Sequence, residues 1–197
     1  MKVVLDRNDM RRTLVRIAHE IVEQVGDPRR LALLGIHRRG AVLAARLHAQ
    51  LGELLGEAVP LGTLDIAFYR DDVATRPEAP VLQATRIDFD VEGRTVVIVD
   101  DVLYTGRTVR AAIDALFDFG RAGRVQLAVL ADRGHRELPI RPDYVGKNLP
   151  TSRYERVNVH VEEIDGSDEV TITEAEYLAR PEVARALMDA GLDAPRR

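Results

Sequence analysis

Residues 96–108 read VVIVDDVLYTGRT, and their order decides the fold. Val96, Val97, Ile98 and Val99 form a short β-branched run, the pattern of a central parallel strand covered on both faces. Asp100 and Asp101 are expected where that strand ends, and Thr105, Gly106, Arg107 and Thr108 open a helical pattern. A strand's carboxyl end that passes through a glycine turn into a helix N-terminus is suited to hold a phosphate. Backbone N–H groups point outward there, glycine permits close approach and threonine hydroxyls add donors. The paired carboxylates suit ribose hydroxyls, or a Mg²⁺ beside them, rather than the phosphate itself. Taken singly, an Asp-Asp after a strand is a solvated turn or a helix cap. The spacing fits neither G-x-x-x-x-G-K-[ST] nor G-x-G-x-x-G.

Working outward, strand and helix patterns alternate. Met10, Leu14, Ile17, Ile21 and Val25 recur at helical spacing, with Asn8 or Asp9 expected as N-cap and Gly26 as stop. Leu31–Ile36 reads as a buried strand, 41–55 as a helix with Leu43, Leu47, Leu51 and Leu54 near one face, and 61–69 as a strand. From Arg70 to about Val81 there is no periodicity, only Asp71, Asp72, Pro77 and Pro80. A structureless run of that length inside a compact domain reads as a lid. Strand 95–99, helix 107–119 and strand 125–130 follow, then an irregular stretch over 133–150. Val157, Val159 and Val161 alternate as a half-exposed strand, and 174–190 fits a closing helix. Repeated strand–helix units imply an α/β fold with a mostly parallel central sheet flanked by helices.

Composition agrees with one enzyme-sized domain. The chain has 197 residues, 46% hydrophobic and 30% charged, with a net charge of −4 that argues against general polyanion binding. No apolar run approaches membrane-spanning length, and residues 1–9 lack the apolar core of a signal peptide. Absence of cysteine removes disulfides, thiol nucleophiles and Cys-based zinc sites, and a cytoplasmic protein is the expectation. Lysine occurs only at Lys2 and Lys147, so the remaining fixed cations are arginines, able to bind phosphate bidentately.

Three further clusters carry chemistry. Gly35-Ile36-His37-Arg38-Arg39-Gly40 sits at another strand's carboxyl end before a helix. Alone it is a helix-start loop; beside 96–108 it suits a pyrophosphate. Tyr69-Arg70-Asp71-Asp72 stands at the mouth of the long loop, a solvated turn or the base of a lid. Residues 132–148, DRGHRELPIRPDYVGKN, follow a strand and lie on the sheet's ligand-binding side.

The 96–108 run as a whole resembles the 5-phosphoribosyl-1-pyrophosphate (PRPP) motif of type I phosphoribosyltransferases. That resemblance implies the type I fold, with a mobile lid loop and a small hood. It assigns Asp100 and Asp101 to the ribose diol and to developing positive charge, and offers them to the metal that accompanies PRPP, Mg²⁺. It assigns Thr105, Gly106, Arg107 and Thr108 to the 5-phosphate. Arg38, Arg39 and Gly40, with Arg70 from the lid, fall to the pyrophosphate. Closure over PRPP makes sense because the reaction passes through an oxocarbenium-like sugar that water would capture.

A closer resemblance runs from about Leu5 to Val161. GIHRRG, DIAFYRDD, VVIVDDVLYTGRTVRAAIDAL and QLAVLADRGHRELPIRPDYVGKNLPTS are similar to the PyrR subfamily, bifunctional uracil phosphoribosyltransferases that attenuate pyrimidine operons. The resemblance implies that uracil and PRPP give UMP and pyrophosphate, and that UMP or UTP favours binding to leader mRNA. Arg133 and Ile140 fall to the base region. Arg16, His19, His135, Arg136, Arg141 and Lys147 fall to the RNA. Purine enzymes of the hypoxanthine type place an Asp before the Thr-Gly, where this chain has Tyr104. Uracil N1–H is more acidic than a neutral purine imidazole N–H, so a dedicated carboxylate base is less needed. The subfamily commonly has Thr at the positions of Val15 and Arg38, and both are linked to RNA binding there. A salvage enzyme whose RNA site has been lost is therefore the alternative. Residues 1–164 are expected as the catalytic domain and 165–197 as a largely helical extension. A homodimer or larger homo-oligomer follows from the resemblance.

Overall fold

The computed structural model describes residues 1–67, 69 and 84–174. The expected lid, Arg70 included, and the expected closing helix lie outside the described residues. Five parallel strands form the main sheet, in the order β3 (Leu61–Leu64), β2 (Leu31–Ile36), β4 (Thr95–Leu103), β5 (Arg124–Asp132) and β6 (Tyr144–Asn148). Helices α1 (Arg7–Gln24) and α2 (Arg39–Leu55) cover one face, and α3 (Arg107–Phe117) covers the other. Strand alternation divides the core between those faces. Leu31, Leu33, Val97 and Val99 join Met10, Leu14, Leu43 and Leu47, whereas Ala32, Leu34, Val96 and Ile98 join Val109, Ala112, Ala115 and Leu116. Because both faces are covered, β2 and β4 need unbroken apolar runs rather than alternation. Truncating a fully buried leucine such as Leu33 costs roughly 2–5 kcal/mol.

A second, antiparallel sheet of three strands forms the small hood, in the order β1 (Lys2–Leu5), β8 (Glu169–Glu174) and β7 (Glu155–His160). Leu5, Val157, Val159 and Val170 pack into the core on the α1/α2 side. The short helix α4 (Glu162–Asp165) precedes β8. Residues 165–174, grouped with the extension by the sequence reading, thus supply the middle strand of the hood.

Several boundaries differ from expectation. The N-cap of α1 is Asp6, whose side chain accepts from the Asp9 N–H at 2.8 Å while Asp9 returns a bond to Asp6. Strand β3 stops at Leu64 because the Asp65 carboxylate turns the chain, accepting from Ala67 N–H at 2.8 Å. Strand β4 runs three residues beyond Asp100, with Val102 and Leu103 pairing with Ala131 and Asp132. The stretch 133–150 contains β6, whose Gly146 sits where a Cβ would meet the Leu130 carbonyl at 2.2 Å.

Candidate active site

The strand order places a topological switch between β2 and β4. The chain winds outward from β2 to β3, then outward the other way from β4 through β5 to β6. The loops leaving the carboxyl ends of β2 and β4 therefore diverge and leave a crevice, the usual ligand position in such sheets. Glycines close the first loop tightly. A Cβ on Gly35 would meet Ala41 Cα at 2.5 Å, and one on Gly40 would meet the Val99 carbonyl at 2.5 Å and Asp100 Cα at 3.1 Å. The start of α2 is thus pressed directly onto the acidic end of β4.

Asp100 is buried, 6% exposed, and accepts from the Asp101 N–H at 2.9 Å; Asp101 is half-buried and accepts from the Val102 N–H at 2.8 Å. Beyond them the chain turns at Gly106, with φ of +94°, into α3, whose N-cap residue supplies no side-chain bond; only the Arg107 N–H reaches a hydroxyl, that of Thr105 at 3.4 Å. Thr105, Gly106, Arg107 and Thr108 line a cavity of about 310 Å³ together with Asp100, Tyr104 and Glu137. Uncapped first-turn N–H groups beside a glycine make this an anion cradle. Arg107 is not idle in it, since its Nε donates to Glu137 at 2.8 Å. Glu137 was missed by the sequence reading, for its partner lies thirty positions away.

In the loop between β2 and α2, Arg38 is exposed and makes no hydrogen bond or ion pair with the described residues. Arg39 is committed. Its Nε and Nη2 donate to the two oxygens of Asp165 at 3.1 and 2.7 Å, and this carboxylate raises the guanidinium pKa above its ordinary value. Arg46, farther along α2, holds Glu163 and Asp168 in the same way. The hood is thereby clamped to the helix that opens at the site. Tyr69, at the mouth of the long loop, donates to Asp118.

Around the base region, Arg133 is 8% exposed and lies 4.1 Å over the Tyr104 ring, while its Nη2 donates to the Ser152 carbonyl at 3.0 Å. Burial lowers its pKa, with the Tyr104 and Glu155 charges opposing. His135 meets the Tyr104 ring edge-on at 6.2 Å and its Nε2 bonds the Thr151 carbonyl at 2.6 Å. Ile140 packs instead under the phosphate turn, 3.4 Å from where a Gly106 Cβ would stand.

Several residues grouped by the sequence as RNA contacts are tied into the fold. Arg136 is part-buried and donates to the Tyr104, Gly134 and Ile140 carbonyls at 2.8, 3.3 and 3.0 Å and to Asp132. Arg16 reaches the Val145 and Gly146 carbonyls at 2.9 and 2.6 Å, and Lys147 the Val4 carbonyl at 2.9 Å. His19 and Arg141 remain exposed without a partner among the described residues. Arg141 lines a second cavity, about 670 Å³, with Arg133, Arg136, Val145 and Asn148. No cluster of three or more potential metal-ligating side chains occurs among the described residues, and no helix there is long and apolar enough to cross a membrane.

A family model described as a phosphoribosyl transferase domain matches residues 4–163. A bifunctional PyrR protein of Roseiflexus sp. is 62% identical over 165 residues, covering 84% of this chain and 90% of its own length. The PyrR protein of Thermus thermophilus is 57% identical over 88% of this chain and 96% of its own, and that of Deinococcus radiodurans 54% identical over 89% and 96%. Among solved structures, the hypoxanthine phosphoribosyltransferase of Trypanosoma cruzi superposes with a TM-score of 0.65 at 18% identity, over 89% of this chain and 97% of that one. The Staphylococcus aureus enzyme of the same name gives 0.63 at 19%, over 93% and 94%. At such identities these two show the fold alone. By its matched domain and by its likeness to these relatives, the chain belongs to the phosphoribosyltransferase family, in its PyrR branch.

Proposed function

We propose that the protein transfers the phosphoribosyl group of PRPP to N1 of uracil, and that with a uridine nucleotide bound it attaches to pyrimidine-operon leader mRNA and promotes termination. One observation carries the catalytic half. A buried and a half-buried carboxylate, Asp100 and Asp101, stand on β4 shortly before the helix start that is reached through Gly106. In the reaction the bond from C1 of the sugar to the pyrophosphate oxygen breaks, the bond from C1 to N1 forms, and N1 gives up its proton. The 5-phosphate takes the N–H groups of the α3 first turn with Thr105 and Thr108. Asp100 and Asp101 hold the ribose hydroxyls and oppose the positive charge that grows on the sugar. Arg38, without a partner among the described residues, meets the pyrophosphate. The half-exposed Tyr104 ring, backed by Arg133, offers the base an aromatic surface.

Mg²⁺ fits the donor set. This metal is usually held through one or two carboxylates plus substrate phosphates, and the site supplies two carboxylates and no closed cage among the described residues. When bound with PRPP it neutralises pyrophosphate charge. The same reading has the protein act in the cytoplasm as a homo-oligomer, and its likeness to the PyrR proteins supports this.

The engagement of Arg16, Arg136 and Lys147 by backbone carbonyls favours one second reading, a salvage enzyme without RNA activity. The test is a filter-binding titration with the organism's own pyrimidine leader RNA, with and without UMP at fixed salt, beside a uracil–PRPP assay. UMP formation with UMP-strengthened RNA binding is the expected result. UMP formation with RNA binding no better than a scrambled control selects the salvage reading. No UMP formation overturns the catalytic half.

A further inference from the structure

The phosphate cradle contains a carboxylate of its own. Glu137 lines the same cavity as Thr105, Gly106 and Thr108, and it accepts from Arg107 Nε at 2.8 Å. Its backbone N–H and that of Leu138 both donate to the Thr105 carbonyl, at 3.0 and 3.1 Å. Arg136, the residue before it, joins the Tyr104 carbonyl at 2.8 Å to the Ile140 carbonyl at 3.0 Å. The loop after β5 is therefore fastened to the phosphate turn at several points. Arg141 follows Ile140 directly and lines the larger cavity, whose lining shares no residue with the cradle.

We propose that Glu137 is an internal stand-in for the 5-phosphate: a nucleotide phosphate takes over Arg107, displaces the Glu137 carboxylate, and the loop 133–141 carries that displacement to Arg141 on the RNA-facing side. The RNA half of this inference rests on the function proposed above. A dianion and a carboxylate repel each other across one guanidinium. The phosphate has the stronger claim, because it also takes the uncapped N–H groups of α3, whereas Glu137 engages the arginine side chain. The Arg107–Glu137 pair is about half exposed, 47% and 53%, so it yields at modest cost. A ligand shifts an equilibrium only by its differential affinity for the two states. Here the difference is the presence of the phosphate, so UMP signals and uridine does not.

The experiment compares full-length wild type with Glu137→Gln, measuring UMP and uridine affinity by calorimetry and leader-RNA affinity by filter binding. Glu137→Gln is expected to tighten UMP about two- to fivefold, the scale of one partly exposed ion pair, and to leave uridine unchanged. Its RNA affinity without nucleotide is expected to rise toward the wild-type value with UMP. UMP affinity that is unchanged, weakened, or altered equally with that of uridine overturns the stand-in role. Tighter UMP binding with nucleotide-free RNA affinity still at the wild-type level overturns the relay. Should wild type bind no RNA with or without UMP, the RNA reading itself fails and the UMP–uridine comparison still decides the role of Glu137.

Discussion

Helix α1 and helix α3 begin in opposite ways. At α1, Asp6 and Asp9 satisfy each other's backbone N–H groups in a reciprocal box, and the helix start is chemically closed. At α3, a left-handed glycine stands where a capping side chain would be, and the first turn opens into a cavity. Helix α2, beginning at the other wall of the crevice, is likewise without a side-chain cap. The difference separates a helix start closed on itself from one that leaves its N–H groups to the crevice. Of the three long helices among the described residues, the two without a side-chain cap meet at the switch point of the sheet.

Three substitutions or conditions probe that contrast. The largest effect is expected for Gly40→Ala, because its Cβ would enter the Val99 carbonyl at 2.5 Å. Overpacking at a backbone contact of this kind costs roughly 2–3 kcal/mol, and it displaces Asp100. Denaturant unfolding and kcat/KM should fall together; a variant of unchanged stability and activity would break the idea that α2 must lie against β4. Next, Asp6→Ala removes the α1 cap and should cost about 1 kcal/mol, read in the same unfolding experiment. Here activity at temperatures well below the transition should stay at the wild-type level, and a parallel loss of turnover would show that α1 is not merely structural.

The smallest effect concerns acid. Hydrogen bonds from Arg39 hold the Asp165 pKa below its ordinary value, and Arg46 does the same for Glu163. Burial works to raise Asp168, yet Arg46 and the Glu162 N–H bring it below the ordinary value. With folded values below unfolded ones, their stabilisation is complete above the ordinary carboxylate range near pH 4 and is lost as pH falls through the folded values. Wild type should therefore lose stability below pH 4 more steeply than Arg46→Gln, with no pH dependence from these groups between pH 5 and 8. Parallel acid limbs for the two proteins would remove the hood clamp from the account.

The strands and helices that build the site were legible in sequence because burial on two faces leaves a visible pattern. Leu31–Ile36 and Val96–Val99 read as buried strands, and the Thr105–Thr108 turn read as a cradle. What escaped shares one physical origin, a partner that sequence does not identify. Arg16, Arg136 and Lys147 donate to backbone carbonyls, which belong to every residue type alike. Asp165 and Glu137 neutralise arginines that the pattern offered to substrate, and both stand far from those arginines along the chain. Strand β6 was hidden because its five residues, YVGKN, include two polar side chains and a glycine that admits the neighbouring backbone.

The pairing of β1 with β8 fixes an order of events during synthesis. All five strands of the main sheet lie between Leu31 and Asn148, so that sheet can assemble on the ribosome while β1 waits for a partner. Val3 meets Thr171 only after nearly all of the described chain has emerged, and Asp165 arrives in the same segment to claim Arg39. A nascent chain with a finished phosphate cradle still has an unclamped pyrophosphate loop. Formation of the Arg39–Asp165 clamp thus waits for the emergence of residues 165–174, and a product cut short before residue 165 would hold the Gly106 turn without the clamp.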